Sequence, residues 1–180
     1  ALDKGEKDQT QGPAMNEGRL VEAMNKGWKA VVIKADLLVV VEMGIGKTTS
    51  AAAIERVVVE GTALEWTGRG TGVDGDMLSH KAEVVARAVE VNKAFKNNGL
   101  EILRCLGGRE LAAMAGAMVC ARVLRIPLIL DGFICSAAAA CLDAAQSGAL
   151  DHAVAGHVSA EVAHPKLLEK LGKEPILSLG

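Results

Sequence analysis

Three short stretches pair glycine with side chains that hold or stabilise charge. The first is Glu42-Met43-Gly44-Ile45-Gly46-Lys47-Thr48-Thr49, set between an apolar run and an alanine-rich one. Glycines between a strand and a helix let the main chain approach a ligand closely. Amide groups and the helix N-terminus can then hold a phosphate, and Gly44 and Gly46 are the candidates here. The Gly-Lys-Thr ending invites comparison with a P-loop, but that motif needs a glycine five residues before Gly46, where Val41 stands. An acid at the strand end also suits a triphosphate poorly. A P-loop-like NTP-binding protein and a tight turn without a ligand are the alternatives at this point. The second stretch, Gly68-Arg69-Gly70-Thr71-Gly72, implies main chain with positive φ or a close approach, or else a surface loop. Lys81 follows it and can reach back as a point charge for phosphate, or simply be solvated. The third, Asp131-Gly132-Phe133, carries a carboxylate that either orders a sugar and stabilises positive charge or caps the next helix.

Gly156-His157-Val158-Ser159-Ala160-Glu161 lacks the glycine–serine spacing of a hydrolase elbow. His152, His157 and His164 are spaced too irregularly for a zinc motif, so solvated or core histidines are expected. Cys105, Cys120, Cys135 and Cys141 each sit in apolar sequence without a C-x-x-C pair and are expected to be buried thiols.

Elements must carry these loops. Residues 1–15 are polar and read as an irregular lead-in. Helices are predicted over 16–26, 48–59, 76–95, 100–106, 110–124, 136–146 and 165–171, from apolar spacing and from caps such as Asn16. The best strands are 37–41 and 128–130, with 153–157 and 175–179 as further candidates. Short strands apolar on both faces, alternating with helices, predict an α/β fold with a mainly parallel sheet. Ligands bind such sheets beyond the carboxyl ends of the strands, where Glu42–Gly46 and Asp131–Phe133 fall. The 180 residues suit a single domain, with no internal repeat.

Composition narrows the function. The chain is 50% hydrophobic but has only two Trp, two Phe and no Tyr, which argues against base-stacking nucleic-acid modules. A net charge of −2 without a basic tract gives nucleic acid or anionic membrane no partner surface. No apolar stretch is long enough to span a bilayer, and no secretory signal is recognisable, so a soluble cytoplasmic protein is expected.

Taken in order, Gln11–Met15, Glu42–Ala53, Gly68–Gly72 with Lys81, Leu106–Glu110, Asp131–Phe133, Ala149–His152 and Gly156–Glu161 resemble the nicotinate-nucleotide:dimethylbenzimidazole phosphoribosyltransferase family. The resemblance implies a three-layer α/β/α domain, a homodimer and no metal or cofactor. It also implies transfer of 5-phosphoribose from nicotinate mononucleotide to 5,6-dimethylbenzimidazole. By it, Gly44, Lys81, Gly132 and Ser159 hold the 5′-phosphate and ribose, Gly70 and Thr71 line the same pocket through their main chain, and Glu42 and Asp131 are carboxylates beside the reacting sugar. A non-catalytic nucleotide-binding protein of the same fold is the alternative within this family. Lys47 stands where the family has Asn, which adds phosphate attraction or alters the hydrogen bonds of an amide. The family's general base is expected in a Gly-Glu-Gly segment beyond Gly180, and the family's N-terminal part, which helps form the benzimidazole pocket, has no counterpart in this sequence.

Overall fold

The computed structural model describes residues 5–43, 46–59 and 76–178. Its elements run α1 (Glu17–Ala30), β1 (Leu38–Val40), α2 (Thr48–Val58), α3 (Asp76–Val91), a 3₁₀ turn (Lys93–Phe95), α4 (Gly99–Leu106), α5 (Arg109–Leu124), β2 (Leu128–Leu130), α6 (Phe133–Ala145), β3 (Ala153–His157), α7 (His164–Lys170) and β4 (Pro175–Leu177). The four strands form one parallel sheet in the order β1-β2-β3-β4. The architecture is α/β with a parallel sheet, as the alternation of short apolar strands with helices predicts, and within the three-layer α/β/α class that the resemblance implies the described helices form the layer on one face.

Local signals account for most element ends. Asn16 starts α1 by accepting from the Arg19 N–H at 2.8 Å, and Asn98 starts α4 by accepting from Leu100 and Glu101. The helix predicted over 76–95 is two pieces. Asn92 is buried and donates its amide to the carbonyls of Ala88 and Gln9, which ends α3 and leaves a separate 3₁₀ turn. The helix predicted from Ser136 begins earlier, at Phe133, directly after Gly132. The lead-in is irregular but docked: Ala14 and Met15 are buried, and their N–H groups donate to the carbonyls of Cys105 and Arg104.

The core lies on one face of the sheet, beneath Val40, Leu128, Leu130, Ala153 and Ala155. α6 is its centre. Every residue from Phe133 to Leu142 is buried, and α2, α4, α5 and α7 pack around it. A helix apolar on all sides belongs in a core, and alanine lets its neighbours come close. All four cysteines are free and buried, as expected. Burial pushes the thiols up, Cys105 to about 11 and Cys135 to about 12, so they behave as small apolar groups.

Candidate functional site

Parallel strands place their carboxyl ends side by side, so motifs distant in sequence meet at one edge of the sheet. Val40 pairs with Leu130 and Leu130 with Ala155, which aligns the segments that follow β1, β2 and β3. The Asp131 N–H donates to the Val40 carbonyl at 3.2 Å and extends that alignment by one residue. A cavity of about 240 Å³ opens here, lined by Glu42, Thr48, Asp131, Gly132, His157 and Ser159 among others.

Gly132 makes the turn from β2 into α6 with φ +93°, a conformation that disfavours any Cβ even though the nearest neighbour, the His157 ring, would lie at an ordinary 3.7 Å. Because Gly132 is the cap residue of α6 and no side chain caps that end, Asp131 is released from the helix-capping role. Its Oδ1 lies 3.1 Å from His157 Nδ1 instead. Ser159 lines the cavity, and its buried hydroxyl has no hydrogen-bond partner among the described residues. A buried unpaired hydroxyl is costly unless something bonds it, so it marks a place for a polar ligand.

Lys81 reaches from α3 to the first turn of α2, where its Nζ donates to Thr48 Oγ1 at 3.0 Å. Burial lowers its pKa, with Glu161 opposing part of that effect. An ammonium stripped of some water beside a helix N-terminus attracts an anion strongly. Glu42 is nearly buried and ion-paired with Lys47, whose Nζ also lies 2.6 Å from Glu110 on α5. At Lys47 burial works against the charge, but the bonds to Glu110 and Glu42 outweigh it and hold the ammonium above its ordinary pKa. The lysine therefore ties the glycine loop to α5.

Of the residues singled out from sequence, Glu42, Asp131, Gly132 and Ser159 line one cavity, and Lys81 stands behind its Thr48 wall. Gly46, with φ +76°, lines a neighbouring cavity of about 430 Å³ together with Lys47 and Glu110. Gly44, Gly70 and Thr71 lie outside the described residues. Besides the apolar Phe133 and Ile134, three polar lining residues were missed by sequence reasoning: Thr48, His157 and Glu161. His157 was expected to be a solvated or core histidine, yet it pairs with Asp131 across the strand ends. The available signal was its position at the end of a candidate strand; the register that brings it to Asp131 is visible only in the sheet. Among the described residues no group of three or more His, Cys, Asp or Glu side chains is placed to hold a metal ion.

Comparison with known proteins identifies the family. A family model described as phosphoribosyltransferase matches residues 1–180. The nicotinate-nucleotide–dimethylbenzimidazole phosphoribosyltransferase of Cereibacter sphaeroides is 63% identical over 179 residues, covering 99% of this chain and 53% of that protein. Its namesake from Jannaschia sp. is 59% identical over 173 residues, covering 96% and 51%. The crystal structure of CobT from Thermus thermophilus superposes with a TM-score of 0.85 at 36% identity, covering 97% of this chain and 53% of that one. The chain thus spans about half the length of the curated relatives it matches. With the ordered motifs, the cavity at the strand ends and a match along its whole length, this chain belongs to the phosphoribosyltransferase family.

Proposed function

We propose that this chain forms the phosphoribosyl-binding part of an enzyme that moves 5-phosphoribose from nicotinate mononucleotide to 5,6-dimethylbenzimidazole. The products are α-ribazole 5′-phosphate and nicotinate, a step in building the lower nucleotide of cobalamin. One observation carries the reading: Glu42, Asp131, Gly132 and Ser159, drawn from three separate motifs, converge on one cavity whose serine hydroxyl lacks a partner. The donor already bears a pyridinium, so nicotinate leaves without a general acid and positive charge develops on the ribose. A carboxylate beside the anomeric carbon lowers the energy of that charge. In this reading Glu42 and Asp131 supply it, while Lys81, Gly132 and Ser159 hold the phosphate and ribose. Gly44, Gly70 and Thr71 complete the cradle, and Gly46 shapes its loop.

The P-loop alternative fits less well. Its lysine must be open to the phosphates of a nucleotide, whereas Lys47 bridges two carboxylates. The reading further takes the chain as one domain that works in the cytoplasm as a homodimer, without nucleic acid, membrane, metal or cofactor. Among the described residues no helix is long and apolar enough to cross a membrane. Calorimetric titration of the folded chain with nicotinate mononucleotide and with α-ribazole 5′-phosphate tests the proposal. Binding is expected, weakened about tenfold or more by Lys81→Ala, the usual effect of losing a charged hydrogen bond. A folded chain that binds neither nucleotide overturns it.

A further inference from the structure

Ser159 is useful to a ligand only if its hydroxyl is aimed, yet it lies in a loop between β3 and α7 with no regular structure of its own. What fixes this loop is His164, the first residue of α7, which is completely buried. The Ser159 N–H donates to His164 Nδ1 at 2.9 Å. A ring nitrogen that accepts carries no proton, so in the neutral ring the proton sits on Nε2. That nitrogen lies 3.1 Å from Ser136 Oγ, and the Ser136 hydroxyl donates onward to the Gly132 carbonyl at 2.7 Å. Every donor has an acceptor, and the directions are fixed from end to end.

The chain of bonds therefore runs from the main chain of Ser159 to the main chain of Gly132. These are the loops after β3 and β2, both of which line the cavity. Phe133 meets the imidazole edge-on, with ring centroids 6.2 Å apart, and limits its rotation. Burial, with a smaller contribution from His157, pushes the His164 pKa down to about 4, so the ring is neutral near pH 7. A side chain needed only to fill this space has no reason to be polar, since burying an imidazole is costly unless both nitrogens are satisfied.

We propose that His164 is a positioning residue of the nucleotide site: its two ring nitrogens set the spacing between Gly132 and Ser159 and thereby hold the Ser159 hydroxyl at the cavity wall. The proposal rests on the phosphoribosyl reading of that cavity.

The test uses the whole chain, with folding checked by circular dichroism and thermal melting. Nicotinate mononucleotide affinity is measured for wild type, Ser159→Ala, Ser136→Ala, His164→Leu, His164→Asn and the Ser159→Ala/His164→Leu pair. Loss of one positioning bond is expected to weaken binding about fivefold to tenfold in Ser136→Ala and His164→Leu. His164→Asn recovers part of the loss, because its amide oxygen can still accept from the Ser159 N–H. In the Ser159→Ala background, His164→Leu causes no further loss, since the histidine acts through that hydroxyl. ¹⁵N spectra of the imidazole show the neutral Nε2–H tautomer at pH 7. If Ser159→Ala weakens binding but the folded Ser136 and His164 variants bind like wild type and only melt lower, His164 is merely structural and the proposal falls. Equal losses from His164→Leu in the wild-type and Ser159→Ala backgrounds overturn it as well. If the wild-type chain does not bind the nucleotide, the site reading itself has failed and the proposal falls with it.

Discussion

At the scale of single residues, two carboxylates show how strongly surroundings decide behaviour. Glu42 is ion-paired with Lys47, so removing the lysine takes a counter-charge away from a nearly buried carboxylate. Lys47→Met is expected to destabilise the chain by about 1–3 kcal/mol, and Glu42→Gln added to it to recover part of that loss. Urea denaturation of the single and double variants measures the coupling, and strictly additive effects would disprove it. Glu55 is the opposite case: completely buried on α2, with neither oxygen hydrogen-bonded among the described residues. Burial, assisted by the charge of Glu161, raises its pKa from 4.5 to about 9. Its folded form keeps a proton that the unfolded chain releases, so stability falls as pH rises from about 4.5 to about 9 and levels off above. Glu55→Gln flattens that slope and adds roughly 2–4 kcal/mol at pH 8, and melts at pH 5 and pH 8 reveal it. Neither environment was legible in sequence. The strand-end placement of Glu42, Asp131 and Gly132 was, because glycine beside an acid at a strand end is a local pattern, whereas Ser159 came only from the family resemblance. The partners Glu110, His157 and His164 were not, because only the register of the sheet and the packing of α5 and α7 bring them near.

Elements were more legible, and where they were misread a tertiary contact had overridden local preference. Asn92 splits the predicted 76–95 helix because its amide binds the Gln9 carbonyl of the docked lead-in, a partner that helical periodicity cannot announce. Helix contacts also explain two glycines inside helices. A Cβ on Gly27 of α1 would fall on the Ala113 carbonyl of α5, and one on Gly116 of α5 would fall on the Met24 carbonyl of α1. The two helices therefore cross with main chain against main chain. In an isolated helix, Gly→Ala stabilises by about 1 kcal/mol, so here the sign should reverse. Gly116→Ala is expected to cost about 3 kcal/mol or more by forcing α1 away from α5. Gly18→Ala, on the exposed first turn of α1 with nothing nearer its Cβ than Asn16 Oδ1 at 3.6 Å, is the control and should be neutral or mildly stabilising. Denaturant midpoints of the two variants decide the matter, and equal midpoints would show that α1 and α5 do not need this close crossing.

For the whole molecule, topology has a consequence that no single element reveals. Parallel crossovers are right-handed, so four strands laid down in chain order put the described crossover helices on the same face. α1 precedes the sheet but packs on α5, itself part of the first crossover, and so adds to that same layer. The other face presents Val39, Ile129 and Val154 in register, continued by Ile176 on β4. Val39 and Val154 are each 46% exposed and Ile176 is 62% exposed. Parallel sheets ordinarily have both faces covered, and contiguous apolar patches on a protein surface are places where another surface settles. The relatives are about twice as long as this chain, so they possess further chain with which to cover such a face. The 180-residue chain by itself should therefore bind anilinonaphthalene sulfonate while melting cooperatively, a combination that separates a native apolar face from a molten core. Replacing Val39, Val154 and Ile176 together by threonine keeps β-branched side chains in the strands but adds hydroxyls to the open face. Dye fluorescence should fall well below that of the parent chain with the cooperative melt retained. Unchanged dye binding in a cooperatively folded triple variant would mean that this sheet face is not the exposed apolar surface.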